Sequence, residues 1–140
     1  MSTVLWANYL VDGQVTCAES DLYALCKYAD KLDKVCRKNG VLPFLDTHDS
    51  TDMQFNIGDA ELPDGMESTD EIMATDGTWV DAQAALQMLE TLLRVVREDQ
   101  TRFGVLGNAH DDVVAELEES IEFAREAAAK AAKFNFALVM

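Results

Sequence analysis

The chain has 140 residues, 49% hydrophobic and 26% charged, the material of one globular domain with its own core rather than of a disordered segment. Eleven Lys and Arg against 26 Asp and Glu leave a formal net charge of −15, a field that repels nucleic acid phosphates and anionic membrane surfaces. No apolar run approaches the ~18 residues of a membrane span, and the N-terminus has no basic start and meets Asp12 soon after a short apolar stretch, so neither a span nor a signal peptide is expected.

In chain order, residues 3–11 (TVLWANYLV) read as a strand rich in β-favouring residues, and Asp12-Gly13 is a type I′ turn signal that continues it into a hairpin through Gln14-Val15-Thr16. A helix is expected over about 20–38, with Ser20 as cap. Leu22, Leu25, Cys26, Ala29, Leu32 and Cys36 form its buried stripe, and Asn39-Gly40 its stop. Lys27, Lys31, Lys34 and Lys38 make a basic row on the same helix. Asp30 and Asp33 stand four residues before Lys34 and Arg37, the arrangement of a solvated face.

Residues 41–66 carry Pro43, Pro63 and the turn Pro63-Asp64-Gly65, so little helix is expected there; Met53–Ile57 alternates apolar and polar and reads as a short strand. Ser68-Thr69-Asp70-Glu71 has the form of a capping box before a brief helix to about Ala74. A central helix follows over about 79–98, with Ala82, Ala85, Leu89, Leu92 and Val96 as one stripe and Leu86, Met88, Leu93 and Val95 widening it. Asn108 caps a last helix over about 109–132, whose stripe runs His110, Val114, Leu117, Ile121, Ala124, Ala128 and Ala131, with Glu116, Glu118, Glu119, Glu122 and Glu126 outside. The apolar tail 134–139 reads as a C-terminal strand paired with the N-terminal one. The sum is a single α+β domain over 1–140: three main helices packed on a small sheet.

Cys17, Cys26 and Cys36 are odd in number and contain no C-x-x-C pair; Cys26 and Cys36 lie too far apart along one helix to bridge. Reduced thiols and a cytoplasmic location are therefore expected, with Cys17 singled out as a candidate reactive thiol ahead of a helix start. The known phosphate-binding, dinucleotide, nucleophile-elbow and zincin motifs are missing, and a Ca²⁺ loop begun at Asp59 would need Gly where Asp64 stands. No cofactor is expected. The densest set of potential ligands is Asp46, His48, Asp49 and Asp52, an imidazole among three carboxylates that could hold a divalent metal or form an acid/base pair. Asp, Ser and Thr in such a loop also cap and turn chains locally. His110 reads as a hydrogen-bonded residue at the core's edge, and Trp6 and Trp79 as core anchors.

Charge distribution carries the functional expectation. From Asn39 to Leu93 there is no Lys or Arg but there are twelve acids, while five of the eleven bases lie between Lys27 and Lys38. The expected function is that of a non-catalytic acidic protein of the inhibitor, immunity-like or adaptor kind, a build common among small bacterial-type proteins, that docks a basic protein partner and neither nucleic acid nor membrane. A small metal-binding protein or metal-assisted hydrolase centred on Asp46–Asp52 is the alternative, and a self-associating homodimer a third reading.

Overall fold

A computed structural model describes residues 3–57 and 69–140. Asp12 and Gly13 take φ of 51° and 76°, the two positive values a type I′ turn requires, so β1 (Val4–Val11) folds back into β2 (Gln14–Cys17) with Val11 opposite Gln14. At the far end of the chain β5 (Lys133–Val139) lies antiparallel along β1, from Leu10↔Lys133 to Val4↔Val139. Two short strands complete the sheet on β5: β3 (His48–Asp49), parallel, and β4 (Val80–Asp81), antiparallel. The order is β2-β1-β5-β3. The chain is α+β, with terminal strands paired as their composition predicts.

The period of two divides the sheet into two faces. Leu5, Ala7 and Tyr9 stand opposite Leu138, Phe136 and Phe134 and are buried or packed against the main core. Over this face lie α1 (Tyr23–Lys27), α5 (Ala82–Glu98) and α6 (His110–Ala129), the last two packed as an antiparallel hairpin. All five residues of the expected α5 stripe are buried, with Leu86 and Met88 beside them. The opposite face carries Trp6, Asn8, Asn135 and Ala137, and it is covered by α3 (Thr51–Ile57) and α4 (Thr69–Asp76).

Four expectations are corrected. The 20–38 helix does not begin at Ser20, because Leu22 exchanges backbone hydrogen bonds with Leu5 and so holds the preceding chain extended along β1. It is also interrupted at Tyr28, where α2 (Ala29–Lys38) begins. Met53–Ile57 is helical rather than a strand: Asp49 accepts from the Thr51 amide and the Ser50 carbonyl from the Gln54 amide, so local capping overrides the alternation. A single 3₁₀ turn, Phe44–Thr47, follows Pro43. The central helix starts at Ala82, with Asp81 accepting from the Ala84 amide, and Trp79 precedes β4 instead of opening a helix. Ser68 and the Pro63-Asp64-Gly65 turn lie outside the described residues.

Candidate functional site

On the α3–α4 side of the sheet Asn8 and Asn135 are a facing pair. Both are buried, which demands partners for their amides. Asn8 donates to Asn135 Oδ1 at 3.1 Å and to the Trp6 carbonyl, while Asn135 donates to the Thr78 carbonyl at 2.9 Å. This satisfied polar floor lies beneath a cavity of about 110 Å³ lined by Trp6, Asn8, Cys17, Glu19, Asp52 and Asp70, with Met73, Ala137 and Val139 as its apolar wall. Among the described residues no Lys or Arg lines it.

Each acid arrives from a different element. Glu19, held at φ 53°, follows β2; Asp52 belongs to the first turn of α3 and accepts from Thr69 Oγ1; Asp70 sits in the first turn of α4. Burial raises the pKa of Asp70, and the neighbouring Asp52 and Glu19 raise it further. Burial likewise raises the Cys17 thiol, opposed by the Glu19 N–H it accepts and reinforced by Asp70, Glu19 and Asp52. The Cys17 thiol is thus held protonated, the reverse of what a reactive thiolate needs. Trp6 is oriented by its indole N–H, which donates to Asp21 at 2.7 Å. Three carboxylates and an indole around one cavity are groups of the kind that pair with an amine or guanidinium.

The Asp46–Asp52 segment is used differently. Asp46 is exposed on the 3₁₀ turn, close enough to Arg37 to favour its charge. His48 is half-buried with its ring edge toward Phe44; its Nε2 is buried without a hydrogen-bond partner, and burial lowers its pKa against the pull of Asp33 and Asp30. Asp49 is buried and its two oxygens accept from the Thr51 amide, the Thr51 hydroxyl and the Thr78 amide at 2.7 Å. It ties the start of α3 to the chain entering β4. Asp52 lines the acid-rimmed cavity instead. Among the described residues no three His, Cys, Asp or Glu side chains gather as a metal-sized cluster. The capping chemistry expected of Asp, Ser and Thr therefore accounts for Asp49.

Of the twelve acids between Asn39 and Leu93, Asp59, Glu61, Asp64 and Glu67 lie outside the described residues. The others divide. Asp49 and Asp81 cap, Glu90 meets Arg125 at 3.7 Å, and Asp52 and Asp70 converge with Glu19. Sequence reasoning missed Glu19, Asp70 and Trp6 as site residues, reading Trp6 as a core anchor; strand alternation puts Trp6 and Asn8 on one face, but only the β1–β5 register reveals which helices cover it. No family model matches the chain, and no curated protein or solved structure shows significant similarity to it. Among the described residues no helix is long and apolar enough to cross a membrane.

Proposed function

We propose that this chain is a non-catalytic protein-binding domain, of the inhibitor, immunity-like or adaptor kind, that receives a lysine or arginine side chain of a basic partner in the pocket at Trp6. The observation that carries this reading is the convergence of Glu19, Asp52 and Asp70 on one small cavity with an indole and, among the described residues, no cation in its lining. Burial and the neighbouring Asp52 and Glu19 raise the pKa of Asp70, a cost to its ionised form that an incoming cation relieves. The net charge of −15 supports the same reading, because it steers basic partners toward the molecule before contact.

Titration of the full chain with short lysine- and arginine-containing peptides, followed by amide and indole chemical shifts, tests this. Shifts centred on Trp6, Cys17 and Asp70 are expected. Affinity should fall about tenfold or more in the Glu19→Gln, Asp70→Asn double variant and should weaken as salt shortens the screening length below about 10 Å. Equal binding by the double variant, or shifts confined to other faces, would overturn the proposal.

A further inference from the structure

The turn between α5 and α6 presents two aliphatic side chains to solvent: Val105 is 90% and Leu106 102% exposed. This exposure belongs to a braced loop. Phe103, fully buried, anchors its start against Tyr28, with ring centroids 5.4 Å apart. The Arg102 guanidinium donates to the carbonyls of Gly104 and Gly107 at 3.3 and 3.1 Å, and the Lys31 ammonium donates to the Arg102 carbonyl. Asn108 Oδ1 accepts from the amides of Phe103 and His110, the Ala109 amide donates to the Phe103 carbonyl at 2.8 Å, and His110 Nδ1 donates to the Thr101 carbonyl. Gly104 takes φ 105° with Tyr28 Oη 3.1 Å from where a Cβ would stand, a position only glycine fills without strain. A loop ordered this thoroughly loses little further entropy when its tip is covered.

The tip lines an open cleft of about 660 Å³ that is also lined by the partly buried Tyr28 and bounded by Lys27 of α1 and Asp112 of α6. Apolar groups and one charge of each sign in a single cleft are what an isologous contact needs, since a two-fold axis sets Lys27 of each copy against Asp112 of the other. We propose that this cleft is the contact surface of a two-fold homodimer, in which Val105 and Leu106 of each copy pack against the other's Tyr28. The proposal is independent of the pocket at Trp6, which lies on the far side of the sheet.

Net charge makes the inference distinguishable from a charge-driven association. Two copies each of charge −15 repel at long range, so a contact driven by apolar burial strengthens as salt screens that repulsion. Sedimentation velocity of the full chain at concentrations up to about 1 mM, which detects even a weak contact, should show a monomer–dimer equilibrium that shifts toward dimer with added salt. Leu106→Asp should weaken it about tenfold or more, and because the side chain is wholly exposed the variant should keep the wild-type far-UV spectrum. Lys27→Glu and Asp112→Lys should each weaken the dimer, and the double variant should restore it. A strict monomer at the highest concentration, a dimer indifferent to Leu106→Asp, a double variant no better than either single one, or a monomer that instead sediments with phosphatidylglycerol vesicles would overturn the proposal.

Discussion

Glu116 supplies from α6 a cap that α1 does not supply for itself. Its two oxygens accept from the amides of Ala24 and Leu25 at 3.1 and 3.0 Å, and no side chain within α1 caps those donors. Heptad spacing placed Glu116 on the outer face with four other glutamates. The donors it serves are 92 and 91 residues away in sequence, beyond the reach of any local pattern. Glu116→Ala is expected to lower unfolding free energy by about 1–3 kcal/mol in urea titration, and Glu116→Gln by less, since the amide oxygen still accepts. Ser120 makes the opposite case. It is buried, and its Oγ has no hydrogen-bond partner among the described residues, so Ser120→Ala should raise stability by up to about 1 kcal/mol by removing an unsatisfied group and improving helix propensity. Its burial was not legible either. The stripe read through Val114 and Ala128 runs in fact through Val113, Ser120 and Ala127, rotated by how α5 packs on it.

At the scale of elements, what was legible was whatever local chemistry decides. The Asp12-Gly13 turn, the α5 stripe and the tail strand all follow from residues adjacent in sequence. The failures have two causes, distant partners and local capping. The start of α1 is settled by a distant partner, Leu5, which bonds Leu22, whereas the course of 53–57 turned on local capping by Asp49 and Ser50 that outweighed the apolar–polar alternation. In the candidate metal loop, Asp49 uses its oxygens to join two elements. The same junction explains Gly77, whose added Cβ would lie 2.5 Å from the Met73 carbonyl oxygen and 2.8 Å from Asp49 Oδ2. Backbone on one side and a buried carboxylate on the other leave no room to give. Gly77→Ala is therefore expected to cost about 1–3 kcal/mol, detectable as a lower urea midpoint with an unchanged slope. The loss should be accompanied by amide shifts in both α4 and β3, since Met73 also accepts from the Trp79 indole.

At the scale of the whole molecule, two acids on different elements, Asp33 and Asp70, respond to pH in opposite directions. Burial of Asp33 would raise its pKa, but the Arg37 guanidinium at 2.7 Å, the Leu45 amide and His48 together hold it below the ordinary 3.8. Its ionised form is better accommodated in the folded chain than in the unfolded one, so it contributes stability above pH 3.8 that is lost as pH falls through the lowered folded value. Asp70 is the reverse. Its folded pKa lies above 3.8, so ionisation costs stability as pH rises through that raised value and the cost disappears below 3.8. Asp33→Asn should consequently destabilise the protein at neutral pH. Asp70→Asn should stabilise it there, by under about 1 kcal/mol since the side chain is partly exposed, and the two variants should converge on the wild type in acid. Urea unfolding from about pH 3 to about pH 8 measures both slopes. If Asp70→Asn gains nothing at neutral pH, the mutual repulsion across the pocket at Trp6 is relieved by other means, and the drive for that pocket to take up a cation is weaker than its lining implies.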